Sequence, residues 1–104
     1  MTLTIKDRLL LLTILPREGN IVTLRIIRKL RESLSFSEEE HARLGLVEKD
    51  NQVSWRTDVP QESEIDIGAK ATKIVENTLQ DLDKQKKLTE EFLPLWDKFL
   101  PAED

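Results

Sequence analysis

The sequence contains no cysteine, a single histidine (His41) and only three glycines among its 104 residues. Without cysteine the chain can form no disulfide, no thiolate zinc site and no cysteine nucleophile. One histidine is too few for a multi-histidine metal centre, and scattered glycines exclude the glycine-rich loops that bind nucleotide phosphates. These absences predict a protein without enzyme activity, without a metal site and without a cofactor.

Long apolar runs are also missing. The run Leu9–Leu12 is short, follows three charged residues and lacks a signal-peptide cleavage site, whereas a membrane span needs about 18 apolar residues. The sequence therefore predicts a cytoplasmic protein that does not bind membranes. With 38% hydrophobic and 35% charged residues, residues 1–104 are expected to form a single domain with a modest core.

Charge is unevenly distributed along the chain. Residues 1–36 hold seven Lys/Arg and three Asp/Glu, whereas residues 37–104 hold nine and seventeen, so the two parts carry net charges of +4 and -8. Such asymmetry can serve a partner or be neutralised when the two parts pack together. In a domain this small, we favour neutralisation within the chain or between two copies.

Helical periodicity and capping signals predict five helices. Capping boxes begin the first helix, at Thr4, and the short third helix, at Ser37, and Asn20 is a suitable N-cap for the second. Gly45 ends the third helix, and Pro94 lies in the first turn of the fifth or begins it. The expected helices are Ile5–Leu15, Ile21–Leu34, a short helix from Ser37 to Gly45, Ala69–Lys86 and Thr89–Leu100.

Between the third and fourth helices the apolar period changes from 3.6 to 2. Residues 46–56 predict a β-hairpin that turns near Asp50-Asn51, and Glu64–Ile67 predicts a third strand. The fold class is therefore α+β and mainly helical: two N-terminal helices, a short third helix, an antiparallel hairpin or three-stranded sheet, and two C-terminal helices. The order of three helices and a hairpin also resembles a winged-helix domain.

The first helix is apolar on nearly all sides. Its polar surface is limited to Lys6, Thr13 and parts of Asp7 and Arg8, which are expected to be exposed to solvent. A helix of this kind is buried nearly all round, either by its own chain or by a second copy. We therefore expect a two-fold dimer in which Leu11 and Leu15 contribute to the contact. In the second helix, an apolar arc that includes Val22 and Leu30 is expected to face the core.

The opposite face of the second helix carries a basic stripe, formed by Arg25, Arg28, Lys29 and Arg31. Such a stripe can contact phosphates, but we favour a solvated face or one paired with acidic residues. The third helix, which would enter the DNA groove of a winged-helix complex, opens with Glu38, Glu39 and Glu40. These carboxylates would repel DNA.

Two tryptophans and one acid–histidine pair are further candidates for function. Trp55 and Trp96 are expected in the core, although tryptophan is also a common interface anchor. Glu38 and His41 form the only pair at helical spacing with acid–base potential. We interpret His41 as an exposed residue of a charged helix, because nothing else in the chain completes a catalytic site.

Several short blocks follow one another along the chain: Leu15–Asn20, Ser35–Glu39, Ile65–Gly68 followed by Lys70-Ala-Thr, and Lys87–Thr89. Their pattern resembles a family of small bacteriophage and prophage proteins that has no assigned activity. The resemblance implies a phage setting, in the host cytoplasm, and no site residues. Together these observations predict a non-enzymatic protein–protein interaction module acting as a homodimer or accessory protein, with a winged-helix-like DNA-binding protein as the alternative.

Overall fold

The computed structural model describes residues 1–101. In that part of the chain five α-helices are joined by a one-turn 3-10 helix at Glu90–Phe92 and by two small antiparallel sheets. The helices are α1 (Ile5–Ile14), α2 (Ile21–Leu34), α3 (Glu38–Leu44), α4 (Ala69–Lys84) and α5 (Leu93–Phe99). The strands are β1 (Thr2–Thr4), β2 (Val47–Lys49), β3 (Gln52–Ser54) and β4 (Glu62–Glu64). The prediction of a mainly helical α+β fold is confirmed.

The predicted helix starts are formed by the expected caps. The Thr4 and Ser37 side chains accept hydrogen bonds from the backbone N–H groups of Asp7 and Glu40, and each capping box closes reciprocally. The Asn20 side chain caps α2 by accepting a hydrogen bond from the Thr23 backbone N–H, without a reciprocal bond. Helix α4 ends at Lys84, two residues earlier than predicted, because Lys86 adopts a left-handed backbone conformation with φ of 57°.

The β-structure differs in part from the prediction. Strands β2 and β3 form the expected hairpin, and Asp50 and Asn51 both adopt the positive φ angles of a tight hairpin turn. The third strand lies at Glu62–Glu64 instead of Glu64–Ile67, and it pairs with β1 and not with the hairpin. This pairing buries Leu3 completely and Ile65 almost completely, which explains why the chain joins two segments so distant in sequence.

The core lies where α1, α2, α4 and α5 pack on one another. Helix α1 contacts α2, α2 contacts α4, and α4 contacts α5. The buried residues of this cluster are Leu3, Leu11, Leu15, Ile27, Leu30, Leu34, Ile65, Ala71, Val75, Leu79, Leu95 and Phe99. Leu30 is buried as predicted. Val22 is not: it is 64% exposed, because the first turn of α2 extends beyond the elements that cover the rest of the helix.

Arg8 is a buried charge that joins three elements, whereas the sequence pattern placed it partly in water. Its Nε donates to the Leu34 carbonyl at 3.0 Å, and one Nη donates to the Ser35 carbonyl at 2.7 Å. The other Nη lies 2.6 Å from a Glu40 carboxylate oxygen, and the guanidinium lies 3.9 Å above the centre of the Phe36 ring. Arg8 therefore connects α1 with the end of α2 and the start of α3.

Asp7, the residue before Arg8, is also buried, whereas the sequence pattern predicted that it is partly exposed to solvent. One of its carboxylate oxygens accepts a hydrogen bond from the Thr4 backbone N–H at 3.1 Å and one from Lys98 Nζ at 2.6 Å. The start of α1 is thereby held against α5. Because both charges are paired and hydrogen-bonded, they can be buried in an otherwise apolar interior.

The Arg8–Glu40 contact predicts an acid-sensitive part of the stability. The hydrogen bond from Arg8 lowers the pKa of Glu40 below its ordinary value of 4.5, and this outweighs the opposing effect of burial. A carboxyl group whose pKa is lower in the folded state stabilises the fold above its unfolded pKa. This contribution is lost as the pH falls below about 4.5 and through the folded value.

We therefore expect the free energy of unfolding, measured by urea titration from about pH 6 to pH 3, to fall less steeply in Glu40→Gln than in the wild type. Glu39→Gln is the matched control, because Glu39 is the exposed neighbour with the same charge. Parallel pH profiles for Glu40→Gln and the wild type would contradict a stabilising Arg8–Glu40 contact.

Candidate protein-interaction site

The candidate interface residues on the first helix are buried inside the chain itself. Leu11 is fully buried and Leu15 almost fully, and both belong to the core cluster. The expectation that they contact a second copy is therefore corrected. The apolar surface of α1 is covered by elements of the same chain, so neither leucine offers surface to a partner in this fold.

The side chains of the basic stripe on α2 have different surroundings. Some of them contact other groups of the chain, and the others are exposed to solvent. Arg31 donates hydrogen bonds to the carbonyl oxygens of Leu12 and Leu15 at 3.3 and 3.2 Å. These contacts satisfy acceptors at the C-terminal end of α1. Arg28 lies 3.8 Å from Glu32 on the same exposed helix face. Arg25 and Lys29 are exposed and form no ion pair within residues 1–101.

The two tryptophans have different surroundings, although both are half-buried. Trp55 follows the hairpin, and its indole N–H donates to the Gln61 side chain at 2.8 Å. Gln61 in turn donates to the Val59 carbonyl at 2.6 Å, so Trp55 holds the loop that leads to β4. Trp96 instead packs against the main core cluster from α5 and keeps part of its surface exposed.

Trp96 forms part of a groove between the end of α4 and the start of α5. We call this cavity, with a volume of about 320 Å³, the C-terminal groove; its lining residues are Asp83, Leu88, Thr89, Glu90, Phe92, Leu93 and Trp96. Leu93 is 60% exposed and lies beside Trp96 in this lining, so the groove presents apolar surface to solvent. Within residues 1–101 the charged residues of the lining are Asp83 and Glu90, and both are acidic.

The sequence pattern indicated Trp96 but not the groove. Phe92, Leu95, Trp96 and Phe99 were expected to form one apolar face, and Leu95 and Phe99 are indeed buried. Leu93 lies off this face, next to Trp96 on the helix surface. An apolar residue outside the buried face, directly before Pro94, is the signal that indicates an additional apolar surface. The residues predicted to form an interaction surface do not form one patch: Leu11 and Leu15 are buried in the core, Arg25, Arg28 and Lys29 lie on α2, Trp55 follows the hairpin and Trp96 lies on α5.

The possible acid–base pair does not form an enclosed site. Glu38 and His41 are both exposed on α3, and the His41 ring packs edge-on against Phe36 with ring centres 6.3 Å apart. Within residues 1–101 no three His, Asp or Glu side chains lie close enough together to hold a metal ion. In the same part of the chain, no helix has the length and apolar character to span a bilayer.

Comparison with known proteins adds no assignment to this geometry. No family model, no curated protein and no solved structure matches the chain.

Proposed function

We propose that this chain is a non-enzymatic protein–protein interaction module that self-associates as a two-fold dimer through the C-terminal groove. The observation that carries the proposal is the exposure of Leu93 beside the partly exposed ring of Trp96 in an apolar groove. Tryptophan set in such a depression is a frequent anchor of protein interfaces. A small protein gains stability when a second copy covers a surface of this kind.

We expect light scattering at high micromolar concentration to give twice the chain mass of 12.1 kDa, and Leu93→Asp to shift the protein to monomer. A carboxylate at this position would be desolvated by the apolar surface that covers it in the dimer, and within residues 1–101 the charged residues of its own groove, Asp83 and Glu90, are also acidic. Because Leu93 is exposed in the single chain, the substitution is expected to leave the fold intact.

Val47→Asp is the matched control for this experiment. Val47 is also an exposed apolar residue, at 53%, but it lies on the hairpin. The control is expected to keep the dimer mass. A monomeric wild type, or a dimer that Leu93→Asp leaves unchanged, would overturn the proposal.

DNA binding is the second candidate function, favoured by the observed order of three helices and a hairpin and by the free charges of Arg25 and Lys29. The exposed carboxylates of Glu38 and Glu39 on α3 weaken it, as does the net charge of -4. We therefore expect duplex DNA to bind no tighter than ordinary non-specific association, about 10⁻⁴–10⁻⁶ M at physiological salt.

A gel shift at physiological salt measures this prediction. Nanomolar, sequence-dependent binding that disappears when Arg25→Glu and Lys29→Glu are combined would replace the interaction module by the DNA-binding alternative. The phage setting implied by the sequence blocks stays a prediction, in which the module would act as an accessory protein.

A further inference from the structure

The charge asymmetry of the sequence is only partly neutralised within the fold. Lys6 pairs with Glu91 at 3.2 Å and Arg8 with Glu40 at 2.6 Å, so two basic side chains of the N-terminal third meet acids of the remainder. Arg25 and Lys29 have no such partner within residues 1–101. They therefore leave two exposed positive charges on α2.

The same part of α2 also exposes apolar surface. Ile21 and Val22 are 63% and 64% exposed in the first turn of the helix. Arg25 follows Ile21 by one helical turn, and Lys29 follows Arg25 by one turn. Val22 lies three residues before Arg25, so all four side chains lie on one face of the helix. We call Ile21, Val22, Arg25 and Lys29 the α2 patch. It combines two exposed β-branched residues with two cations.

The C-terminal groove has the complementary properties. It is apolar along Leu88, Phe92, Leu93 and Trp96, and within residues 1–101 its charged lining residues are the acids Asp83 and Glu90. Lys86 and Lys87 lie between Asp83 and Leu88 in the chain but do not line the groove. With a volume of about 320 Å³, it lies at the small end of binding pockets, which suits one or two anchoring side chains.

We infer that the C-terminal groove of one copy receives the α2 patch of a second copy, with Ile21 and Val22 against Trp96 and Leu93 and with Arg25 beside Glu90. This inference rests on the proposed function, because it names the surface that fills the groove. In the inferred dimer a two-fold axis pairs the α2 patch of each copy with the C-terminal groove of the other. The pairing covers exposed apolar surface on both sides and sets opposite charges face to face.

The test exchanges the charges of the pair. Arg25→Glu and Glu90→Arg are each expected to raise the dissociation constant of self-association by about tenfold or more, because each sets like charges against one another. An equimolar mixture of the two variants is expected to recover association close to that of the wild type. In the mixed dimer the acid at position 25 of one chain faces the base at position 90 of the other, and the second contact keeps Arg25 and Glu90.

Lys49→Glu and Glu48→Arg are the matched controls, since they make charge changes of the same sign at exposed positions of the hairpin. Light scattering and sedimentation of each variant and of the mixture measure the result. Variants that associate like the wild type, or a mixture that stays as weak as its components, would overturn the inference. If Leu93→Asp still abolishes association in that case, the proposed function stands with another surface in the groove, whereas a monomeric wild type contradicts both.

Discussion

Arg8→Ala is expected to lower the free energy of unfolding by about 3 kcal/mol, although Arg8 lies in a helix whose pattern is otherwise apolar. The substitution removes the donors to the Leu34 and Ser35 carbonyls and leaves Glu40 without its counter-charge. It also removes the stacking of the guanidinium on Phe36. Unpaired polar groups in the interior keep their full desolvation cost, which makes the loss larger than for a surface ion pair.

Urea titration at neutral pH measures this prediction, with two further variants as references. Arg8→Lys is expected to recover only part of the loss, because an ammonium group lacks the planar fork that reaches four acceptor atoms in different directions. Arg28→Ala removes an exposed arginine from a longer, 3.8 Å contact and is expected to cost below about 1 kcal/mol. Equal losses for Arg8→Ala and Arg28→Ala would show that the buried contacts contribute no more than a surface pair.

Leu30→Ala is expected to destabilise the protein by about 2–5 kcal/mol, the usual cost of truncating a buried large aliphatic side chain. Leu30 is 3% exposed and belongs to the core cluster between α2 and its neighbours. The loss combines the transfer of the removed methyl groups with the cavity that remains, since close-packed surroundings relax only in part.

Thermal or urea unfolding of Leu30→Ala beside Val47→Ala tests the orientation of α2. Val47 is exposed on the hairpin, so its truncation is expected to change the free energy of unfolding by no more than about 0.5 kcal/mol. A change below about 1 kcal/mol for Leu30→Ala would mean that α2 turns a different face to the core.

The candidate site was predictable only in fragments. The position of Trp96 in the core is predictable from the apolar face of its helix, and the ring packs on the core while it also lines the groove. Leu93 was not singled out, because its exposure depends on how α5 lies against α4. Leu11 and Leu15 were assigned to a contact between copies, since an all-round apolar helix does not reveal whether its own chain or a second one covers it.

The local structure of this protein can be read from its sequence alone. The capping residues Thr4, Asn20 and Ser37 place three helix starts, Gly45 ends α3, and Asp50-Asn51 turns the hairpin. Each of these features depends on contacts between residues a few positions apart, so the information is contained in a short stretch of chain.

The long-range partners of those elements, by contrast, are known only from the packing of the whole chain. The pairing of β1 with β4, the burial of Arg8 and the exposure of Val22 all depend on segments distant in sequence. Apolar periodicity predicts that one face of a helix is buried. It predicts neither which element covers that face nor how much of the helix is covered. A charged residue such as Arg8 is buried when several acceptors from other elements converge on it, and no pattern within its own helix reveals that convergence.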